Sequence, residues 1–485
     1  MVAVRRIDAR LGGGVTGSRL KGSSGLAALL ALLAMALLAL PVRADTPPSG
    51  PPPGDPVAAP SPAPLTGSGN PEAPAPLPAA PAPLAPPPGP LPTKVATPEA
   101  PPPPPVPPAE SAPAEPPPAI IPWLSLPPRL PPTQIHAFVS QGYLRTTKNN
   151  YLVEESTRGS FEFTEVGINF TQLLTEDLRA GIQVFARQLG KDGDFRARMD
   201  WFYLDYRFAD WLGIRAGRTK IPFGLYNEVN DIDSARVPIL LPQAAYPIVN
   251  RNILLAQTGV ELYGYRALGI AGGLEYRVYG GTLFLDPPTL GPGQVLNKYE
   301  VPYVLGGRLL WEPPADGLRL GGSLQATRLN VNATLPSATG PVTIEDDLPF
   351  LLWLASAEYT VHDLLLAGEL GYWHADNDVN GQTVMSTTNQ RFYAMASYRA
   401  AAWFWPGVYY SSLRTDIHKP MTRDNYQHDV AATLRFDINP YWLVKLEGHY
   451  IDGTTDISAA INGGAMLESL ARQWFLFLIK TTASF

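Results

Sequence analysis

The chain has 485 residues and not one cysteine. That absence excludes disulfides, thiol nucleophiles and thiolate metal sites. Histidine is scarce as well. His136, His362, His374, His418, His428 and His449 are the full set, and none pairs with another at metal-ligand or helical spacing. Neither a G-x-S-x-G turn nor a nucleotide-binding glycine loop occurs. There is no basic tract, and the formal net charge is −6, so nucleic acid is not an expected partner. No apolar run beyond residue 40 is long enough for a membrane helix. These gaps leave no metal or cofactor to expect and point away from an enzyme.

What is present falls into three stretches. Arg5, Arg6, Arg10, Arg19 and Lys21 form a basic leader, Leu26 to Leu40 is an Ala/Leu run, and Val42-Arg43-Ala44 supplies small residues for a signal peptidase. Residues 1–44 therefore read as a signal peptide. The alternative is an uncleaved anchor, but the run is at the lower edge of the ~18 residues a span needs. Residues 45–133 hold 37 of the 54 prolines, with Pro101 to Pro105 unbroken. Proline donates no hydrogen bond and fixes φ, so this stretch reads as a disordered, extended periplasmic tether. It acts as a passive spacer or, on a sharper reading, as a contact to peptidoglycan.

From Gln134 to Phe485 apolar residues recur at every second position. Long polar connections near 145–158, 189–196, 224–256, 280–300, 331–346, 375–390, 415–424 and 453–470 alternate with short turns. Eight long and seven short connections join sixteen strands. Loops sorted by length in this way, with an even strand count, predict an all-β fold: a transmembrane antiparallel β-barrel of about 16 strands over 134–485. Both termini then face the periplasm of a Gram-negative cell. The barrel would have outer-membrane lipid around it.

The strands alternate apolar and charged positions. Trp442, Val444, Leu446 and Tyr450 skip Lys445, Glu447 and His449. A basic side chain facing lipid at midplane costs ~2–4 kcal/mol, so the skipped face is expected to line a wet lumen. The basic residues placed inward are Arg179, Arg187, Arg207, Arg215, Arg277, Arg308, Arg319, Arg391, Arg435 and Lys445. The acidic ones are Glu165, Asp205, Glu261, Glu275, Glu358, Glu369, Asp429 and Glu447. Trp201, Tyr203, Trp311, Trp403, Trp405, Tyr409 and Trp442 near strand ends read as interfacial girdles.

The final strand carries Phe475, Phe477, Ile479, Thr481, Ala483 and Phe485 on one face. It resembles the last strand of outer-membrane barrels, whose terminal Phe is read by the barrel-assembly machinery. The segment Arg215-Ala-Gly-Arg-Thr-Lys220-Ile-Pro-Phe-Gly224 resembles the R-x-G-x-x-K-x-P-F-G block of the phosphate-selective porin family, the O and P porins. The resemblance implies a 16-stranded porin, a homotrimer, and a third external loop folded into the barrel. The connection after Gly224 is long and unusually apolar, so it is expected to pack against the wall. Pore-constriction candidates are Arg218, Lys220, Glu228, Asp231, Asp233, Arg236 and Arg251, with Arg236 and Arg251 biasing the opening toward anions. The expected function is a passive diffusion channel for small hydrophilic solutes, with phosphate among them on the family resemblance. Two alternatives differ in kind. One is a structural envelope anchor or adhesin with a closed barrel. The other is a barrel-borne hydrolase, for which His374 with Asp376 and Asp378 on an external loop is the candidate set; those acids are also a candidate Ca²⁺ site.

Overall fold

The computed structural model describes residues 131–485 except 191–192, 249–250, 289, 292 and 338–339. The expected signal peptide and nearly all of the tether lie outside the described residues. The wall segments are β1 (Gln134–Thr146), β2 (Ser160–Leu173), β3 (Leu178–Leu189), β4 (Arg198–Ala209), β5 (Leu212–Lys220), β6 (Ala256–Ala267), β7 (Gly273–Thr282), β8 (Val295–Glu300) and β9 (Val304–Glu312). They continue as β10 (Leu318–Leu335), β11 (Val342–Val361), β12 (Leu364–Val379), β13 (Gln382–Tyr398), β14 (Phe404–Arg414), β15 (Tyr426–Asn439), β16 (Trp442–Gly453) and β17 (Gln473–Ser484). All pairings are antiparallel between neighbours, and β17 returns to β1. β8 and β9 both pair with β10, because the chain breaks its ladder at Val301-Pro302-Tyr303. Counted as one wall strand, they leave a closed sixteen-stranded barrel.

Closure reaches the last residue. Phe138 faces Ser484, and Phe485 exchanges backbone hydrogen bonds with Ala137 at 3.0 Å each way. Closing the sheet removes its edges, which would otherwise present unpaired backbone groups to lipid. The outer surface carries Val166, Val260, Leu309, Leu324, Val408, Val430 and Phe477, all exposed. Their inward neighbours along the same strands include Glu165, Glu261, Arg308, Ser323 and Asp429, all buried. An apolar exterior around a polar interior is the membrane-barrel arrangement.

The expected connection lengths fail on one side of the barrel. Residues 375–390 are strand on both sides of the two-residue turn Asn380-Gly381, and residues 331–346 narrow to the connection 336–341. Residues 280–300 likewise contain β8. β10 to β13 run 16 to 20 residues, against 9 for β5. Outside the membrane both faces of such a strand meet water, so Asp376-Asn-Asp378 reads as loop while its backbone stays in the ladder. Asn380 and Gly381 both have positive φ, 49° and 78°, the geometry of a tight hairpin turn that Asn-Gly favours. The aromatic girdle also differs in part. Trp311, Trp403 and Trp442 are exposed on the outside, whereas Tyr409 is buried and Tyr203 stacks on Trp201 beneath Arg215, inside the barrel.

Candidate functional site: a loop folded into the lumen

β5 carries the Arg215 to Lys220 block and stops where Pro222 removes a ladder donor. Gly224 follows with φ 64°, and a side chain there would collide with Tyr246 Oη at 2.5 Å and Glu369 Oε1 at 2.8 Å. Glycine is thus required both for the left-handed turn and for the close approach. The chain then spans 221–255 before β6 begins, and residues 236–247 are buried without interruption. This loop lies inside the barrel.

Its first limb is anchored on β9 to β12. Arg308 Nη1 donates to Gly224 O at 3.0 Å, and Gly224 N donates to Ser323 Oγ at 2.9 Å. Leu225 N donates to Glu369 Oε1 at 3.0 Å, and the Tyr226 hydroxyl donates to Glu358 at 2.8 Å. Burial, with Glu358 and Glu369 alongside, pushes the Tyr226 hydroxyl well above its ordinary range, so it stays a donor. Ile221, Phe223 and Leu254 join an apolar cluster with Leu329, Val331, Leu348, Leu352 and Leu354 on the wall.

The middle of the loop sits against β13 to β17. Lys445 Nζ donates to the carbonyls of Asp233 and Arg236, each at 2.8 Å, and Pro238 at 3.3 Å. Arg435 Nη1 donates to Ser234 O at 2.8 Å and Arg236 O at 3.2 Å. The Glu447 carboxylate accepts the backbone N–H groups of Ile239 at 2.6 Å and Leu240 at 2.9 Å. Arg391 Nη1 donates to Ala244 O at 2.7 Å while its guanidinium lies over the Trp373 ring. Most of these contacts grip peptide groups, not side chains.

The constriction candidates come together, but as partners of one another. Asp231 pairs with Arg251 and with Lys220 at 3.0 Å. Asp233 pairs with Arg236 at 3.0 Å and Lys480 at 2.8 Å, and Lys480 also reaches Glu165 at 2.5 Å. Burial opposes ionisation of both aspartates, yet Arg251 with Lys220, and Lys480 with Arg236 and Lys445, hold their carboxyls well below the usual range. Glu228 bridges Arg277 at 3.0 Å and Arg308 at 2.9 Å, and Arg218 Nε donates to Asp200 O at 2.9 Å. Arg236 and Arg251 were expected to face an aqueous path and favour anions. Both are buried and paired, so a neighbouring carboxylate cancels the field that such a bias needs.

The inward basic residues form a belt along β3 to β10. Arg179 pairs with Asp205 at 2.5 Å, and Arg215 bridges Asp205 and Glu261. Arg277 reaches Glu261 and Glu275, Arg308 reaches Glu275, and Arg319 reaches Glu358. Arg187 is buried beside a cavity of about 10 Å³, roughly the space of a single water. Arg207 lies exposed at the short-turn rim near Asp210. His374, Asp376 and Asp378 stand on β12, not on a loop. His374 contacts Asp376 at 3.3 Å and Thr388 at 3.0 Å. Among the described residues no group of three His, Asp or Glu side chains is placed to hold a metal ion.

Sequence reasoning placed Glu447, Lys445 and Asp429 on the inner wall without seeing that two of them hold the loop. It also missed the buried ladder His449–Asp429 at 3.0 Å and His449–Glu447 at 3.0 Å. The apolar run Ile239-Leu240-Leu241 within the connection was the signal in the residues themselves that something on the wall receives the loop.

No family model and no curated protein matches the chain. Among solved structures it is similar to OmpT of Vibrio cholerae, at 10% identity and TM-score 0.49, covering 73% of this chain and 97% of that one. It is similar to an anion-selective porin from Comamonas acidovorans, at 10% identity and TM-score 0.45, covering 73% and 99%. The channel DcaP of Acinetobacter baumannii gives 13% identity and TM-score 0.44, covering 73% and 97%. At such values the likeness decides nothing about solute or activity.

Proposed function

We propose that the chain is a porin of the outer membrane of a Gram-negative bacterium, a passive diffusion channel for small hydrophilic solutes narrowed by the loop 221–255. The observation that carries this is a charged inner wall inside an apolar exterior. Burying paired charges confers little net stability compared with apolar packing, so stability alone is a weak reason for so many of them. A barrel that conducts water and ions needs them. β1 begins and β17 ends at the short-turn rim, which supports periplasmic termini, as the tether and signal peptide require. The surrounding lipid, two further copies in a homotrimer, the barrel-assembly machinery as reader of Phe485, and a peptidoglycan contact through the tether belong to the same reading.

A weak preference for anions, phosphate included, rests on Arg179 and Arg319, against Glu275 and Glu228, which are 33% and 25% exposed beside Arg308 and Arg277 at 7% and 19%. Arg179 and Arg319 are 40% and 38% exposed, while the carboxylates beneath them, Asp205 and Glu358, are 3% and 8% exposed. A solute entering from the short-turn mouth meets guanidinium before carboxylate. The second reading, a closed envelope anchor, is favoured by one fact: much of the inner wall is buried under the loop. Purified protein in planar bilayers separates the two. Stepwise conductance, with reversal potentials in KCl gradients shifted modestly toward chloride and lowered current in phosphate, supports the porin. Inserted barrels that never conduct sink it and leave the anchor.

A further inference from the structure

The loop covers the inner wall on both sides of the barrel. Gln257 and Gln325 on one side of the circumference are 0% exposed, and Lys445 and Ala431 on the opposite side are also 0% exposed. The accessible inner charges, Arg179 and Arg319, lie beside short turns, below this level. A solute passes this level more freely if part of the loop gives way.

The two seats of the loop differ in their balance: the first limb rests on an apolar cluster with Ser323, Glu358 and Glu369 beside it, and the middle rests on a charged centre flanked by apolar clusters. Above the arginine belt, the wall behind the first limb is Leu329, Val331, Leu348, Leu352 and Leu354. Exposing that seat would put a broad apolar surface into water, at about 25 cal/mol for each Å². The seat under Asp233 to Tyr246 carries Glu165, Lys480, Lys445, Glu447, His449 and Asp429 at its centre, all buried. Hydrogen bonds from these groups to loop carbonyls and N–H groups exchange for hydrogen bonds to water at a small net cost each. A permanently dry interface gains nothing from such a wall, whereas a wall that is intermittently wet requires it.

We infer that Asp233 to Tyr246 is a plug. It leaves its charged seat on β15, β16, β17 and β2, and its contacts with Arg391 on β13 and Glu369 on β12, to open the lumen, while the apolar limb at Ile221 and Phe223 stays fixed. The inference rests on the channel reading. It assigns the conducting path to the Lys445–Lys480–Glu447 sector and not to the apolar β9 to β12 sector. Opening is rare, because Ile239 and Leu240 also leave an apolar contact with Trp474, Leu476 and Leu478.

The absence of native cysteine gives a direct test. A Cβ on Gly407 in β14 would lie 3.0 Å from Val237 Cγ1. That is about the separation a disulfide needs between one Cβ and the other sulfur, and Gly407 has no positive φ to strain. Val237→Cys with Gly407→Cys should bind the plug to the wall. Expected is a loss of at least tenfold in open-channel current when the pair is oxidised, restored by dithiothreitol, with neither single variant affected. A crosslink confirmed by mass and carrying wild-type current overturns the plug and leaves the channel reading standing. A silent wild type beside a conducting variant lacking 233–246 supports the plug; silence of both defeats plug and channel together. Leu241→Cys is a second readout if the pair does not fold. Leu241 is 2% exposed, so a membrane-impermeant thiol reagent should label it in inserted protein, with current rising as it does. No labelling over hours while the channel conducts counts against the plug.

Discussion

Glu447→Ala puts the loop's seating to a quantitative test. The carboxylate is 4% exposed and accepts Ile239 N at 2.6 Å, Leu240 N at 2.9 Å and Thr433 Oγ1 at 2.5 Å, with His449 Nε2 at 3.0 Å. Alanine leaves two buried backbone N–H groups with no acceptor, at ~1–3 kcal/mol each. The loop should thus lose roughly 2–6 kcal/mol of seating free energy, equivalent to a thirtyfold or greater rise in its displaced population. The barrel itself should stand, because its ladder does not pass through this side chain. Limited proteolysis of protein in detergent, read by mass, should show new cleavage within 233–246, with heat-modifiable migration of the barrel unchanged. Glu447→Gln keeps one acceptor oxygen and should fall between. Cleavage at the wild-type rate in the alanine variant would refute the claim that Glu447 holds the loop, and general unfolding would show that it holds the wall instead.

Four further outcomes are expected. Changing Phe485 to Asp should lower the yield of heat-modifiable barrel in outer membranes without altering conductance of the barrels that form, because this terminal aromatic side chain, 71% exposed, is the element the resemblance gives to the assembly machinery; wild-type yield would count against it. Deleting 46–130 while keeping the signal should leave refolding in detergent unchanged, since the segment has too little apolar, non-proline content to build a core; a truncated barrel that fails to refold would reveal a structural role. Asp231 and Asp233 have carboxyls depressed in the folded state, so the stability they contribute is present above the unfolded value near 3.9 and is lost as pH falls below it. Loop cleavage should therefore rise below about pH 4; cleavage unchanged down to about pH 3 would count against these two carboxylates. Replacing Arg236 and Arg251 with Gln should loosen the loop and raise cleavage there more than it moves the reversal potential, because both are structural partners of aspartates; a large reversal shift with an intact loop would restore them to the path.

The barrel was legible because its strongest rule is local. Alternation in Trp442 to Tyr450 places Lys445 and Glu447 on one face whatever the rest of the chain does, and each call of this kind depends on two or three neighbours only. Connection length was less legible. Asp376 to Asp378 look like loop because they are polar, and polarity stops distinguishing strand from loop once both faces are in water; Asn380-Gly381 was the signal that survived. The loop's path into the lumen was legible from its apolar composition. What its charges do was not, since Asp233 and Lys480 stand 247 positions apart (480 − 233) and only closure of the barrel brings them within 2.8 Å.

That pairing has a bearing on the order of assembly. Asp233 meets Lys445, Lys480 and Thr482 on the last hairpin, and Lys480 meets Glu165 on the second strand. Before the final strand arrives, Asp233 of the loop can meet Arg236 and Lys445 but not Lys480, and Glu165 of the second strand lies opposite Arg187 but has no link to the loop's aspartate. The loop's last polar contacts, Asp233 with Lys480 and Thr482, form only when the final strand is in place. One lysine five residues from the end of the chain thus ties the loop to the seam, so closing the wall and fixing its filling share a side chain.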